Sequence, residues 1–192
     1  MKKYIVYIMI MVFLIPNIIS AYSIVFSRGI EDRPAYVICY YDFASETFNA
    51  IEDACDEWNT YIWLSAVIKS SNTHTTTNYP IDDGNNYISK GYRGIYSYLA
   101  ETTVYPDSLD YDAIESADID LNVSFSYSNN GSPYDYNVQN VITHELGHLL
   151  GLNDQYSSFY EETTMYGYID PGETKKSTLE DDDIDGLEAI YN

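Results

Sequence analysis

The pattern of apolar and polar positions predicts strands in the first two thirds of the chain. Residues 35–41 are rich in β-branched and aromatic side chains, and residues 117–125 alternate apolar and polar positions. Three more strands are predicted at residues 63–69, 87–89 and 95–104, with a weakly structured polar loop over residues 70–85. The strands therefore precede most of the helical sequence.

Apolar residues at helical spacing predict three helices. The first is capped by Ser45, and one face of it carries Phe48, Ile51, Cys55, Trp58 and Ile62. A second helix begins near Asn137. A third runs over about residues 178–191, capped by Thr178, with one face made of Ile184, Leu187 and Tyr191. Strands first and helices last indicate an α+β domain.

The first residues are typical of a secretory signal. Two lysines precede an apolar run over residues 4–19, which Pro16 and Asn17 interrupt. We expect a signal peptide at residues 1–21 with cleavage at about 20–23, followed by one secreted domain over residues 24–192. An uncleaved signal would anchor the protein to a membrane, and no other segment could cross one. From its length we expect the rest of the chain to form one domain without a pro-domain.

Composition excludes some partners. The 192 residues carry 30 Asp and Glu against nine Lys and Arg, a formal net charge of −21. Such a chain repels nucleic acid and anionic lipid, so we expect neither as a partner. The 22 tyrosines and the recurring apolar residues favour a folded extracellular domain over a disordered one, and we expect a monomer.

Two cysteines allow two interpretations. Cys39 and Cys55 lie 16 positions apart in a chain with an export signal, so they could form a disulfide. Alternatively, one of them could be a metal-binding inhibitory thiol. The structural interpretation is preferred, because neither cysteine lies in a segment ahead of the domain.

Residues 143–154, with the sequence THELGHLLGLND, carry the candidate chemistry. His144 and His148 are one helical turn apart and can present two imidazoles to one ion. Glu145 is displaced toward the side where a metal-bound water would sit. Gly151 can adopt the left-handed conformation that ends a helix, and the returning chain brings Asp154 to the same ion. Zinc accepts two imidazoles and a carboxylate and keeps a fourth position for water.

A structural interpretation of the histidines competes with this one. A bare His-Glu-x-x-His is a weak pattern, and both histidines could be ordinary polar residues of a helix. The glycine and aspartate at fixed spacing strengthen the metal interpretation, as does the presence of only three histidines in the chain. The third, His74, lies in a threonine-rich segment and is interpreted as solvated surface.

The combined motif resembles that of the metzincin metallopeptidases, His-Glu-x-x-His-x-x-Gly-x-x-His or Asp followed by a methionine turn. Residues 163–168, TTMYGY, would make Met165 the turn methionine. Residues 117–122 and 179–191 resemble the matrixin branch, and the aspartate ligand resembles that of snapalysin-type enzymes. The likeness runs from about Pro34 to the C-terminus. It implies a twisted, mixed five-stranded sheet with an N-terminal helix, a zinc-binding helix and a C-terminal helix.

The resemblance also implies a mechanism. His144, His148 and Asp154 would hold Zn²⁺, and Glu145 would be the general base. A polypeptide substrate would lie extended along an edge strand within residues 96–104. Met165 would form a floor beneath the ligands. Two tyrosines are candidates for the wall of the substrate pocket: Tyr166 and Tyr168.

Several secondary predictions remain. By likeness to the family, Asp182 and Asp183 would tie the last helix to the methionine turn or to the mature N-terminus. Calcium could bind elsewhere, with ligands that the sequence does not identify. Asn122 begins a glycosylation pattern, Asn-x-Ser. The leading hypothesis is a secreted zinc endopeptidase, and the alternatives are a catalytically silent binding protein of the same fold and a secreted structural or adhesive protein.

Overall fold

In the computed structural model the described residues are 22–30, 33–62, 66–75 and 80–191. The predicted signal peptide, residues 1–21, lies outside them. The strands are β1 Gly29–Ile30, β2 Ala35–Tyr40, β3 Val67–His74, β4 Asn86–Gly91, β5 Ala100–Pro106, β6 Ala113–Asn122, β7 Tyr127–Ser128 and β8 Tyr136–Asn137. The helices are α1 Ser45–Asn59, α2 Val138–Leu149 and α3 Asp181–Tyr191.

One mixed sheet organises the domain. Its five longer strands lie in the order β3, β2, β4, β6, β5, and the two-residue strand β1 pairs with the start of β6. All pairings in this sheet are parallel except that of β5 with β6, which is antiparallel. The α+β class and the mixed sheet are thus confirmed, with β1 as a sixth, short strand. β5 lies at an edge of the sheet, which matters for the cleft described below.

Helices α1 and α2 pack together against the sheet. The apolar period predicted for α1 is confirmed for Ile51, Cys55 and Trp58, which are buried. The Trp58 indole Nε1 donates a hydrogen bond of 2.8 Å to the Thr143 carbonyl of α2, so the polar N–H group of this buried side chain has a partner. The Ser45 cap is wrong, because Ala44 occupies the cap position and no side chain caps this helix.

The strand predictions differ from the structure mainly at their ends. β3 continues to His74, into the segment predicted as polar loop, because its parallel pairing with β2 extends to that residue. β5 begins at Ala100 rather than near residue 95. The preceding segment is instead a loop, held by the Asn122 side chain, which donates to the carbonyls of Gly94 (3.0 Å) and Tyr98 (2.7 Å).

The structure changes the interpretation of two polar residues. His74 is partly buried, with its ring centroid 4.9 Å from that of Tyr87 and its Nε2 3.3 Å from the Ile88 carbonyl oxygen, so it is not solvated surface. Asn122, the first residue of the glycosylation pattern, is fully buried and its amide is bonded within the fold. Its side chain is therefore enclosed where a glycan acceptor would have to be exposed.

The two cysteines are free thiols in the core. Cys39 of β2 and Cys55 of α1 are both buried, and the disulfide considered from the sequence is absent from the structure. Burial raises the pKa of the Cys39 thiol to about 12, and burial likewise raises the pKa of Cys55. Both side chains therefore serve as small apolar packing groups. None of the helices in the described ranges has the length and apolar content that a bilayer crossing requires.

Candidate active site

Helix α2 presents the two histidines on one face. The helix starts at Val138, as expected, and the Asn137 side chain caps it by accepting a hydrogen bond of 2.9 Å from the Asn140 amide. His144 and His148 follow four residues apart, and their ring centroids are 4.9 Å from each other. A capped, buried helix thus fixes both rings on one side of the cleft.

A glycine turn returns the chain to the histidines. Gly151 follows the end of α2 with φ of +104°, the left-handed region expected for it. A Cβ at this position would also come within 2.8 Å of the Phe26 carbonyl oxygen. The turn places Asp154 opposite the histidines, as the spacing predicts.

The three side chains converge on one point. Asp154 Oδ1 lies 3.1 Å from His144 Nε2 and 3.6 Å from His148 Nε2. Each ring holds its other nitrogen against a carbonyl oxygen, His144 Nδ1 at 2.8 Å from that of Thr164 and His148 Nδ1 at 3.0 Å from that of Leu152. A proton on each Nδ1 satisfies these contacts and leaves both Nε2 lone pairs for a shared ligand.

The donor set suits a zinc ion. Asp154 Oδ1 is buried and makes no hydrogen bond, although the two imidazoles surround it. Three ligand atoms from two histidines and an aspartate lie within 4.8 Å of one another. They form the only such cluster of His, Cys, Asp or Glu side chains across residues 22–30, 33–62, 66–75 and 80–191. Two imidazoles and a carboxylate are ligands that catalytic zinc takes.

The electrostatics of the cluster reflect its close contacts. Burial disfavours the charged form of His148, but the nearby carboxylate of Asp154 and the charge of Glu145 outweigh it and raise its pKa to about 9. Burial disfavours the carboxylate of Asp154 too, but the close approach and charge of His144 and His148 hold its pKa well below its ordinary value. The anionic form of Asp154 is the form that binds a cation.

Glu145 lies beside the cluster and lines the same cleft. Its side chain is 6% exposed, and its Oε2 accepts a hydrogen bond of 2.6 Å from the Thr102 hydroxyl of β5. A carboxylate held in this way beside a candidate metal site could act as a general base. No local pattern links Thr102 to Glu145, because 43 positions separate the two residues.

Tyr156 is a second site residue that sequence reasoning missed. Its hydroxyl donates a hydrogen bond of 2.7 Å to Asp154 Oδ2, which leaves Oδ1 facing the histidines. Hydrogen bonding to Asp154 and burial raise the pKa of Tyr156 to about 12, so it remains a donor at neutral pH. Its position two residues after Asp154 is the one signal that could have identified it.

Met165, the candidate turn methionine, lies beneath α2. A Cβ built on Gly147 would lie 2.2 Å from Met165 Sδ, so the methionine sits directly against the helix between the two histidines. Asp183 secures the turn, since its carboxylate accepts from the backbone amides of Thr164 (2.8 Å) and Met165 (3.0 Å). The same carboxylate accepts from the Glu180 amide at the start of α3 (3.0 Å).

The two aspartates considered for a tie from the last helix lie in different places. Asp182 borders a small cavity that Tyr22 and Ser23 also line, and Asp183 alone bonds the methionine turn. The cap predicted for Thr178 is wrong. The helix starts at Asp181, and Asp183 satisfies the amide at its start while Thr178 Oγ1 donates to the Lys175 carbonyl.

A cleft of about 530 Å³ contains the cluster of His144, His148 and Asp154. Its walls come from β5 and the residues before it, from α2, from the segment around Asp154, and from Gly167 and Ile169. Tyr166 and Tyr168 flank Gly167 and do not line this cavity, and their place on the wall of a substrate pocket stays a prediction. Lys176, which the sequence did not single out, is buried at the cleft and donates to both tyrosine carbonyls.

The comparisons with known proteins agree with this geometry. A protein-family profile described as Matrixin matches residues 43–192, which include α1, most of the sheet and the whole candidate site. No curated protein matches the chain.

Proposed function

Because the chain belongs to the matrixin family of zinc metallopeptidases, we propose that it is a secreted endopeptidase with His144, His148 and Asp154 as metal ligands. The observation that carries this proposal is the position of Asp154 Oδ1. That oxygen is buried without a hydrogen bond at 3.1 Å and 3.6 Å from two imidazole nitrogens. A buried carboxylate oxygen without a partner is costly unless a cation satisfies it.

Glu145 moves the proton in the proposed reaction. Zinc, when bound, supplies the charge that polarises both a water and the scissile carbonyl. Glu145 accepts the proton of the attacking water and delivers it to the departing amine. Tyr156 holds the outer oxygen of Asp154, and the carbonyls of Thr164 and Leu152 hold the outer ring nitrogens of the two histidines, so that all three proposed ligand atoms face the cleft.

Strand β5 receives the substrate in this proposal. It is antiparallel to β6, lies at the edge of the sheet and borders the cleft next to Glu145. An extended polypeptide can add to such an edge through main-chain hydrogen bonds, antiparallel to β5. The scissile bond would then pass over the metal ligands. We further propose that residues 1–21 are a signal peptide that directs the protein out of the cell.

The test uses the chain from Ile24 onward with bound metal quantified. We expect one zinc per chain, cleavage of an unfolded protein substrate, and loss of cleavage on chelation. Glu145→Gln should retain zinc and lose at least about 100-fold in kcat, because general base catalysis contributes about 10²- to 10⁴-fold. Glu115→Gln is the matched control, since Glu115 is exposed on β6 away from the cleft.

The other hypotheses predict different results. A catalytically silent binding protein would hold zinc without cleaving, and Glu145→Gln would change nothing. A structural or adhesive protein would hold no stoichiometric zinc. Cleavage that survives complete metal removal would overturn the proposal.

A further inference from the structure

We propose that Thr102 is a positioning residue, which orients the Glu145 carboxylate from the strand that receives the substrate. The inference rests on the proposed function and adds to it a residue outside the metal-binding sequence. Thr102 belongs to β5, whereas Glu145 belongs to α2. One hydroxyl thus links the sheet edge to the proposed base.

The contact is short and directed at the carboxylate. Thr102 Oγ1 lies 2.6 Å from Glu145 Oε2 and 3.2 Å from the Glu145 carbonyl oxygen. A hydroxyl carries a single proton, and the shorter contact to a charged acceptor is the stronger one. Thr102 is also the only residue in the described part of the chain that donates a hydrogen bond to this carboxylate.

The sheet holds the donor in place. Thr102 is paired with Ile119 of β6 in the antiparallel ladder, and Ile119 is fully buried. A β-branched side chain has few χ1 states, so a fixed backbone leaves the threonine hydroxyl little freedom. The terminal torsion of a glutamate is broad by comparison. The rigid partner is therefore Thr102, and the group that it orients is Glu145.

The orientation has a chemical purpose. With Oε2 held by Thr102, the carboxylate plane is set, and Oε1 is left to meet the water whose proton Glu145 takes. Without the hydroxyl, the carboxylate could rotate and would spend part of its time misaligned. Misalignment of a base lowers the rate of the chemical step and leaves substrate affinity largely unchanged.

The experiment compares three variants in the full-length mature chain loaded with zinc. Thr102→Val removes the hydroxyl and keeps the shape, Thr102→Ser restores a hydroxyl, and Thr73→Val is the control on the opposite edge strand β3, where Thr73 is exposed. We expect Thr102→Val to lower kcat about 10- to 100-fold with KM and zinc content nearly unchanged. Thr102→Ser should recover most of the loss, and Thr73→Val should match the wild type.

A second measurement does not depend on activity. In metal-free protein with ¹³C-labelled glutamate, the Glu145 carboxyl resonance can be assigned by its loss in Glu145→Gln. We expect this resonance to shift in Thr102→Val, to return toward the wild-type position in Thr102→Ser, and to stay in place in Thr73→Val. These shifts report the contact itself.

The outcomes separate the two proposals. An active wild type with an unchanged kcat in Thr102→Val would overturn the role of Thr102 and leave the proposed function intact. A zinc-loaded but inactive wild type would overturn both. A lower kcat that Thr102→Ser does not recover, or a resonance that Thr102→Val does not move, would also overturn the positioning role.

Discussion

At the scale of single residues, the geometry of the His144, His148 and Asp154 cluster depends on the different partners of the two Asp154 carboxylate oxygens. Tyr156 donates to Oδ2, and the histidine nitrogens surround Oδ1. A carboxylate that is fixed by one partner presents its remaining oxygen at a defined angle. Tyr156 is 60% exposed, so its hydroxyl also brings this bond close to solvent.

Replacing this tyrosine tests its support of Asp154 as the proposed metal ligand. We expect Tyr156→Phe to lower zinc affinity about 10-fold, because loss of a partner that orients a metal ligand typically costs about 10- to 100-fold. Competition with a chelator of known affinity measures the change. Tyr134→Phe, at an 85% exposed position, is the control. Equal affinities in the two variants would show that Tyr156 does not support Asp154.

The residues that sequence reasoning could find are those whose positions are fixed locally. His144, Glu145, His148 and Asp154 lie within one helix and one turn, so spacing alone brings them together. Thr102 and Lys176 reach the cleft only through the pairing of distant elements, which one sequence does not disclose. Family likeness makes the two tyrosines after Met165 candidates for the wall of a substrate pocket, and Gly167 between them lines the cleft.

At the scale of elements, the periodic patterns predicted the strands and helices well and their ends poorly. α2 began where expected because Asn137 is a strong cap. The end of β3 depends on its partner β2, and the loop before β5 depends on the buried amide of Asn122. Those contacts are made across the fold, so no local pattern contains them.

The packing of α2 on the methionine turn leaves no room at Gly147. A Cβ there would lie 2.2 Å from Met165 Sδ and 3.0 Å from Trp58 Cζ2. Alanine would favour the helix by up to about 1 kcal/mol, whereas overpacking of a core costs about 1–3 kcal/mol. The clash should prevail, so we expect Gly147→Ala to lower the free energy of unfolding by about 1–2 kcal/mol.

Denaturant unfolding measures this change, and the same substitution in a Met165→Ala variant identifies its cause. In Met165→Ala the sulfur is gone, so the additional cost of Gly147→Ala should shrink. The same cost in both backgrounds would mean that the methionine is not what excludes a side chain from position 147.

At the scale of the whole molecule, excess negative charge works against the compact state. The formal net charge is −21, and few cations are present to balance it. At 0.1 M, salt largely screens the repulsion between exposed charges that are more than about 10 Å apart. We therefore expect the free energy of unfolding to rise, on the order of 1 kcal/mol, between about 0.01 and 0.3 M NaCl at pH 7.

Urea titrations at several salt concentrations measure this dependence. Equal concentrations of a neutral osmolyte serve as the control, because they change water activity without screening charge. A free energy of unfolding that falls with salt would mean that attractive ion pairs, such as Arg93 with Asp120 at 2.7 Å, outweigh the general repulsion.

The open edge of β5 has a consequence for which proteins could be attacked. An edge that pairs through amide and carbonyl groups recognises the backbone, which every protein shares. In a folded target protein the backbone groups are already hydrogen-bonded in helices and sheets. Only a frayed terminus or a transiently opened loop can adopt the extended conformation that pairs with this edge. The local stability of the target protein, more than its amino-acid sequence, would then decide which bond is cut.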